Sequence, residues 1–278
     1  TTQNMMNHAT QGTYPPGSTF KLITLLEYIR ENPDTWQDFH YTCTGTYTNG
    51  DYVVNCHDGV AHGELDIYGI LGMSCNGAFD TIAQTLNSTK WQKLAEDFGY
   101  NQSDRSQVDF PYKKSHFDIA SDDSVWSRMQ LAIGQGTTTV TPLLNLMIYA
   151  AIANDGVMMT PYLVDHYLDA DGNVVEQTKP KALRSVCTKA EAELMDEFLT
   201  YVITNGTAAA GGSQYARVSG KTGSAQYDST KNYHAWFCGY GTNDVSEIAV
   251  CVMIEKGGAG GIVAAPVAGQ IFDYYFSR

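Results

Sequence analysis

The sequence predicts an α+β fold in which helices come first and an antiparallel sheet comes last. Apolar residues recur at helical spacing in most segments before residue 156. Three strand-like segments then follow one another closely near the C-terminus, at 216–226, 234–241 and 247–255. Because the connections between them are short, they favour antiparallel neighbours. We therefore expect one antiparallel sheet with helices around it.

Length and composition describe a globular protein without an internal domain boundary. The 278 residues are enough to bury a large core, and 43% of them are hydrophobic and 17% charged. The formal net charge of −13 argues against nucleic acid or an anionic membrane as the main partner. No apolar run approaches the ~20 residues of a membrane helix, and no signal segment opens the chain. If the native protein is exported, we expect its targeting or anchor segment to lie outside this sequence.

The first long helix is predicted to begin at a nucleophile. The residues at 15–17, two prolines and a glycine, favour an extended approach and a sharp turn. Apolar residues within Leu22–Ile29 then recur at a 3.6-residue period. Ser18 would lie at the helix start with Lys21 on the same face, close to first-turn N–H groups that have no helical partners. A hydroxyl, an amine and spare amide donors are what nucleophilic acyl transfer needs.

The remaining helices are predicted from spacing and capping residues. Expected N-caps are Ser88, Thr141, which precedes a proline, and Thr188, which opens a capping box. A hairpin is predicted between 157 and 175, with its turn at Asp171–Asn173. The predicted helical segments are two short helices within 65–86, followed by 88–98, 125–133, 142–154, 188–203 and 264–275.

Two segments are predicted as loops. Residues 40–63 are rich in glycine, threonine and asparagine, with a plausible turn at Asn49–Asp51. Residues 101–123 are polar and are expected at the surface.

The cysteines leave alternatives open. Cys43 and Cys56 could form a disulfide, worth about 3 kcal/mol in the loop-entropy model, or could stay free. A zinc site that uses both with His57 and His62 is not favoured, because close Cys-x-x-Cys pairs are missing. Those two histidines are expected to be structural. The other cysteines lie in apolar or helical contexts and are expected to be small buried side chains: Cys75, Cys187, Cys238 and Cys251.

Three short motifs interrupt the predicted elements. Ser18–Lys21 is a Ser-x-x-Lys, Ser74–Asn76 a Ser-x-Asn, and Lys221–Ser224 a Lys-Thr-Gly-Ser on a predicted strand. Each alone has a structural explanation: a helix cap with a solvated lysine, a hydrogen-bonding loop, and an edge-strand charge with a turn. Together and in this order they form the set of class A β-lactamases and penicillin-binding proteins. The chain resembles the transpeptidase domain of a class B penicillin-binding protein.

Flanking segments extend the resemblance from about residue 9 to the C-terminus. The segments similar to the family's landmarks are 9–18, 132–136 with 140–143, 153–156 and 234–237. The resemblance implies a β-lactamase/transpeptidase-like fold, with the antiparallel sheet flanked by helices and an all-helical subdomain, in which residues 1–278 form one transpeptidase domain. The family's domain normally begins with strands before the nucleophile helix. We therefore expect those strands, a membrane anchor and a non-catalytic N-terminal domain to be missing from this sequence.

The resemblance implies catalytic roles for the first two motifs. Ser18 would attack a D-Ala-D-Ala peptide end and form an acyl-enzyme, and Lys21 would take the Ser18 proton. Ser74 would relay a proton to the leaving amine. Asn76 would hold Lys21 and the substrate amide.

The third motif is implied to bind the substrate. Lys221 would supply positive potential for the substrate carboxylate, and the hydroxyls of Thr222 and Ser224 would donate hydrogen bonds to it. Gly223 leaves the strand open to close approach. The backbone N–H groups of Ser18 and Ser224 would form the oxyanion hole. Trp236 and Phe237, which lie on the next strand, are expected in the sheet core.

The resemblance implies a peptidoglycan D,D-transpeptidase that cross-links stem peptides and is acylated and inhibited by β-lactams. It implies no metal or organic cofactor and no nucleic acid. The full-length protein would be anchored at the extracytoplasmic face of the bacterial membrane, with cell-wall synthesis partners.

Three alternatives are a serine β-lactamase, a D,D-carboxypeptidase with water as acceptor, and a β-lactam sensor. The class A deacylation motif Glu-x-x-Leu-Asn is missing, since Thr141–Asn145 has no carboxylate at its first position. Class D enzymes usually lack the asparagine found here at Asn76.

Overall fold

Helices precede the main sheet, as the sequence predicts. The computed structural model describes residues 6–56, 59–102, 108, 110–230 and 232–278. In this part of the chain, no helix is long and apolar enough to span a membrane. The helices are α1 (His8–Gln11), α2 (Lys21–Glu31), α3 (Ile67–Gly72), α4 (Asn76–Ala83), α5 (Ser88–Asp97), α6 (Val125–Ala132), α7 (Pro142–Ala153), α8 (Lys189–Asn205) and α9 (Gly260–Phe276).

The last three strands form the main sheet, and the others pair two by two. The strands are β1 (His40–Cys43), β2 (Thr46–Asn49), β3 (Tyr52–Asn55), β4 (Gly63–Asp66), β5 (Val157–Met159), β6 (His166–Leu168), β7 (Val174–Gln177), β8 (Ala182–Ser185), β9 (Arg217–Gln226), β10 (Tyr233–Thr242) and β11 (Glu247–Ile254). The main sheet has the order β11-β10-β9 and is antiparallel, as predicted. The hairpin predicted around Asp171–Asn173 is confirmed as the pair β6–β7.

Helices cover both faces of the main sheet. Successive side chains of a strand point to opposite faces. On β10, Phe237 packs against α9, whereas Tyr240 donates a hydrogen bond to a carboxylate of α8. Trp236 is fully buried, and its indole N–H donates to the carbonyl oxygen of Pro15 at 3.0 Å. The predicted core positions of Trp236 and Phe237 are confirmed, and the segment before Ser18 is tied to the sheet.

Side-chain caps set the helix starts. Thr141 and Thr188 cap α7 and α8 as predicted, and Thr188 completes its capping box. The predicted cap at Ser88 is wrong by one residue. Asn87 caps α5 instead, because its side-chain oxygen accepts the backbone N–H three residues later.

Both predicted loop segments contain more structure than expected. Residues 40–63 contain three short strands and the first residue of a fourth, and β2 and β3 pair across the turn predicted at Asn49–Asp51. Strands of four residues carry too little apolar periodicity to be recognised in the sequence. The segment 101–123 is not wholly at the surface, because Phe117 is fully buried and stacks on Phe20, with 4.9 Å between ring centroids.

The capping box of α8 gives a test of local stability. We expect Thr188→Ala to lower the free energy of unfolding by about 1 kcal/mol, because a backbone N–H loses its side-chain acceptor. The measurement is urea unfolding followed by circular dichroism. Thr35→Ala is the matched control, since Thr35 is exposed and caps its short helix without a side-chain hydrogen bond. Equal losses for the two variants would contradict the assignment.

Candidate active site

The turn that carries the predicted nucleophile lies against strand β9. Gly17–Phe20 forms a single 3-10 turn and α2 begins at Lys21, so the helix starts three residues later than predicted. Gly17 opens this turn with a φ of +56°, a left-handed conformation that glycine adopts without steric cost. Its N–H donates to the carbonyl oxygen of Gly134 at 2.9 Å, and a Cβ at Gly17 would lie 3.0 Å from the Cβ of Ala225 on β9. Glycine is needed here for both the turn and the close approach.

Strand β9 contributes a second close approach at Gly223. A Cβ at this position would lie 2.9 Å from the carbonyl oxygen of Pro16 and 3.2 Å from Cγ2 of Thr19. The glycine of the Lys-Thr-Gly-Ser motif therefore lets the strand reach the Ser18 turn. In the main sheet β9 is an edge strand, so one side of its backbone is not paired within the sheet.

A groove of about 1290 Å³ brings the three motifs together. Its lining includes Ser18, Ser74, Asn76, Thr222 and Ser224. Ser18 is half-buried, so its hydroxyl is accessible from the groove. The two lysines of the motifs are fully buried. Residues more than 200 positions apart thus form one site.

Lys21 is held by the Ser-x-Asn motif. Its Nζ donates to the carbonyl oxygen of Ser74 at 2.8 Å, to Ser74 Oγ at 3.3 Å and to Asn76 Oδ1 at 2.7 Å. Asn76 is fixed in turn, because its Nδ2 donates to the carbonyl oxygen of Asn55 at 2.8 Å. Burial lowers the pKa of Lys21 to about 8, since removal from water disfavours the charged amine.

Lys221 reaches the same serine from the sheet. Its Nζ donates to Ser74 Oγ at 2.9 Å and to the carbonyl oxygen of Thr222 at 3.0 Å. Burial, and then the positive charge of Lys21, lower the pKa of Lys221 well below its usual range. The Ser74 hydroxyl therefore lies between two amines. Ser74 adopts a φ of +53°, which is uncommon for a residue with a side chain and requires support from its surroundings.

The hydroxyls of the strand motif are also held in place. Thr222 Oγ1 lies 3.0 Å from Thr207 Oγ1, and Ser224 Oγ accepts the backbone N–H of Gly260 at 3.1 Å. Gly260 is the first residue of α9, so the positive end of this helix faces the groove near Ser224. Together with the lysines, these groups make this part of the groove favourable for a carboxylate.

Asp80 is a buried acid that the sequence analysis did not single out. It lies on α4 one turn after Asn76, is fully buried, and has no hydrogen-bond partner for either oxygen among the described residues. Burial raises the pKa of this carboxyl well above its usual range, and the charge of Lys21 opposes the rise. The sequence feature that could have identified Asp80 is the presence of an acidic residue within the apolar face of a short helix.

The cysteines of the segment 40–63 lie behind the Ser-x-Asn motif. Cys43 and Cys56 are free thiols with Sγ atoms 3.6 Å apart. Cys75, which was expected to be only a small core residue, lies with its Sγ 3.7 Å from that of Cys56. His62 also joins this group, whereas His57 falls outside the described residues.

Comparisons with known proteins identify the family of this chain. The family described as penicillin binding protein transpeptidase domain matches residues 1–273. A protein of Mycolicibacterium smegmatis named peptidoglycan D,D-transpeptidase PbpA is 26% identical over 275 residues, which is 95% of this chain and 55% of that protein. The chain spans about half the length of the curated relatives it matches.

Solved structures of penicillin-binding proteins have the same fold as this chain. The D,D-transpeptidase domain of a peptidoglycan glycosyltransferase from Eggerthella lenta superposes with a TM-score of 0.85 at 28% identity, covering 96% of this chain and 66% of that one. The penicillin G acyl-enzyme complex of penicillin-binding protein A from M. tuberculosis has a TM-score of 0.81 at 25% identity, over 95% of this chain and 61% of that one. The predicted α+β transpeptidase-like fold is confirmed. The chain belongs to the family of penicillin-binding protein transpeptidase domains, as its motifs and their resemblance to class B members predict.

Proposed function

We propose that this chain is the catalytic domain of a peptidoglycan D,D-transpeptidase that uses Ser18 as its nucleophile. The observation that carries the proposal is the position of Ser74 Oγ, between the amines of Lys21 and Lys221 and in the same groove as Ser18. This arrangement connects a base, a proton relay and a positive anchor in one chain of hydrogen bonds. The activity for which similar proteins are named, peptidoglycan D,D-transpeptidase, supports the same proposal.

The first half-reaction is acylation of Ser18. Its Oγ attacks the carbonyl carbon of the penultimate D-alanine while the neutral amine of Lys21 takes the hydroxyl proton. Ser74 then passes a proton to the nitrogen of the departing D-alanine as the peptide bond breaks. A pKa of about 8 makes Lys21 a base suited to neutral solution, because an appreciable fraction of the amine is unprotonated.

Groups on β9 and on the nucleophile turn stabilise the negative charges of the substrate and of the tetrahedral intermediate. The backbone N–H groups of Ser18 and Ser224 donate to the oxyanion of the tetrahedral intermediate, a contribution typically worth a few kcal/mol per donor. Lys221 and the hydroxyls of Thr222 and Ser224 hold the terminal carboxylate of the substrate. The unpaired side of the edge strand lets the extended peptide lie alongside β9.

The second half-reaction transfers the acyl group to an amine of another stem peptide. The groove volume of about 1290 Å³ exceeds the roughly 300–1,000 Å³ of a typical small-ligand pocket and leaves room for this second peptide. A β-lactam resembles the D-Ala-D-Ala end and acylates Ser18 in the same way. In the full-length protein, we place this domain at the extracytoplasmic face of the membrane, anchored there with cell-wall synthesis partners.

Two features favour transfer over hydrolysis. Asn145, the last residue of the segment that partly resembles the class A deacylation motif, is buried and donates from Nδ2 to Thr19 Oγ1 at 3.1 Å. Among the described residues that line the groove, Asp228 is the one carboxylate. Its oxygens already accept hydrogen bonds from Thr230 and Asn232. The described lining therefore offers no free carboxylate of the kind that class A β-lactamases use to activate water, which favours a long-lived penicillin adduct over β-lactamase activity.

The nucleophile is tested by intact-mass spectrometry after incubation with benzylpenicillin. We expect a stable adduct on the parent protein and none on Ser18→Ala, because only Ser18 has the required base and groove. Ser277→Ala, which removes an exposed serine outside the groove, should be acylated like the parent. An adduct on Ser18→Ala would contradict the assignment, and rapid adduct loss with penicillin consumption would favour a hydrolase.

The pH dependence of acylation tests the base. Because burial lowers the pKa of Lys21 to about 8, the amine is protonated below that pH and cannot accept the Ser18 proton. We expect the second-order acylation rate constant to fall about tenfold per pH unit below pH about 8 and to level off above it. The measurement uses a fluorescent penicillin under pseudo-first-order conditions. A rate constant that is the same from mildly acidic to mildly alkaline pH would rule out this role for Lys21.

The contact between Asn76 and Lys21 gives a third test. Asn76→Asp places a carboxylate where Oδ1 now lies 2.7 Å from Nζ, which stabilises the charged amine. We expect the midpoint of the pH profile to move upward by about 1–3 units. Asn87→Asp is the control, because Asn87 is an exposed helix cap outside the groove and aspartate caps equally well. A midpoint that does not move, or moves downward, would contradict the proposed coupling.

A further inference from the structure

A cluster of sulfur and nitrogen ligands lies directly behind the Ser-x-Asn motif. Ligand atoms of Cys43, Cys56, His62 and Cys75 all lie within 4.8 Å of one another. The three cysteines are buried and His62 is half-buried. None of these side chains has a role in the acyl transfer described above. Three thiols and an imidazole meeting at one point need an explanation beyond core packing.

The distances inside the cluster match those of a tetrahedral metal site. With Zn–S bonds of about 2.3 Å and a Zn–N bond of about 2.0–2.1 Å, tetrahedral geometry places sulfur atoms about 3.8 Å apart and sulfur and nitrogen about 3.5 Å apart. The Sγ atoms of Cys43 and Cys56 lie 3.6 Å apart, and those of Cys56 and Cys75 lie 3.7 Å apart. The distance from Cys43 Sγ to His62 Nδ1 is 3.3 Å. These three distances lie within about 0.2 Å of the tetrahedral values, and the remaining ligand pairs lie within 4.8 Å.

The fold brings these ligands together from four places in the chain. Cys43 ends β1, and pairing of Cys43 with Gly63 on β4 places the preceding residue, His62, next to it. Cys56 follows β3, and its N–H donates to the carbonyl oxygen of Gly45 at 2.9 Å. Cys75 is the residue immediately before α4. These backbone hydrogen bonds position the ligands independently of an ion.

Backbone donors also surround the sulfur atoms. The N–H of Gly45 donates to Cys43 Sγ at 3.4 Å, and the N–H groups of Asn76 and Gly77 lie close to the Cys56 sulfur. Such donors around ligating groups are typical of metal centres, because they orient the ligands and stabilise thiolate charge. Gly45 has a φ of +89°, and a Cβ there would lie 2.2 Å from the carbonyl oxygen of Gly59. This loop conformation therefore requires glycine.

We propose that Cys43, Cys56, His62 and Cys75 form a structural Zn²⁺ site that supports the Ser74–Asn76 segment. Three thiolates and one imidazole in a tetrahedral arrangement favour zinc over harder cations, which prefer oxygen ligands. All four positions are filled by protein, so the ion is structural and takes no part in acyl transfer. The proposal replaces the expectation of a chain without metal and adds Cys75 to the cysteines considered from sequence.

The site acts on catalysis through its fourth ligand. Cys75 lies between Ser74, which bridges the two lysines, and Asn76, which holds Lys21. The metal would hold Cys75 against the β1–β4 and β2–β3 pairs and so maintain the uncommon backbone conformation of Ser74. Asn55, the neighbour of Cys56, binds Asn76 from the same side. Loss of the ion would therefore loosen the Lys21 contacts without removing any catalytic group.

Metal binding is tested directly on the reduced protein. The chain is freed of metal with a chelator and a reductant, desalted, and titrated with zinc sulfate or cobalt chloride. We expect one equivalent of zinc by elemental mass spectrometry. For cobalt, we expect the visible d–d bands and near-ultraviolet charge-transfer bands of a tetrahedral thiolate site. Reduced protein that takes up neither ion, or a cobalt spectrum of an octahedral oxygen site, would overturn the proposal.

Variants identify the ligands. His62→Ala, at a half-buried position, should weaken zinc binding by roughly 100-fold or more, since loss of even an outer-shell partner typically costs about 10- to 100-fold. Cys43→Ser should abolish the charge-transfer bands or reduce them strongly. The matched controls are His116→Ala, an exposed histidine, and Cys187→Ser, a buried thiol outside the cluster. Circular dichroism verifies folding, and unchanged zinc affinity in His62→Ala would contradict the site even if Cys43→Ser does not fold.

Benzylpenicillin acylation then tests the link to Ser74. We expect the metal-free chain to be acylated about 10-fold more slowly than the zinc-loaded chain, with recovery on adding zinc. Equal rates would overturn the supporting role of the ion. Metal content and the cobalt spectrum do not depend on acylation, so a failure of the zinc site and a failure of the transpeptidase proposal give different results.

Discussion

The hydrogen bonds from two buried lysines to one serine hydroxyl are the constraint on which the rest of the site depends. Because Lys21 and Lys221 donate to the same oxygen, their nitrogens lie within about 6 Å of each other, where two full charges repel by about 3 kcal/mol at an effective dielectric constant of about 20. Burial acts in the same direction for both amines. The site therefore favours one neutral amine, which is the form that can act as a base.

The surrounding fold keeps both lysine side chains buried and away from solvent. Lys21 begins α2, a helix buried along most of its length, and Lys221 is fully buried on β9 of the main sheet. Glycines at 17 and 223 remove the side chains that would keep the nucleophile turn and the strand apart. The close packing thus has a chemical consequence, because it sets the solvation of the amines and hence their pKa values.

The Ser-x-Asn segment connects the different parts of the site. Its serine contacts both lysines, its asparagine contacts Lys21 and β3, and its middle residue, Cys75, faces the thiol cluster behind the groove. A segment that contains a residue in an uncommon backbone conformation, here Ser74, needs support from its neighbours. The short β1–β4 and β2–β3 pairs supply that support, and the proposed zinc ion would join them to the motif.

Local sequence determined most of the helices, the main sheet and the motifs, whereas the tertiary structure decided which side chains meet in the groove. Helix periods, the caps at Thr141 and Thr188 and the three closely spaced strands are short-range signals, and they were predictable for that reason. The Ser-x-x-Lys, Ser-x-Asn and Lys-Thr-Gly-Ser order indicated the family without any coordinates. The four short strands between residues 40 and 66 and the buried Phe117 were not predictable, because their stability comes from contacts distant in sequence. The same reason explains why the sequence did not reveal the Asp80 carboxyl below the site. Strand pairing and packing likewise bring Cys75 close to Cys43, Cys56 and His62. The spacing of these residues along the chain does not predict that proximity.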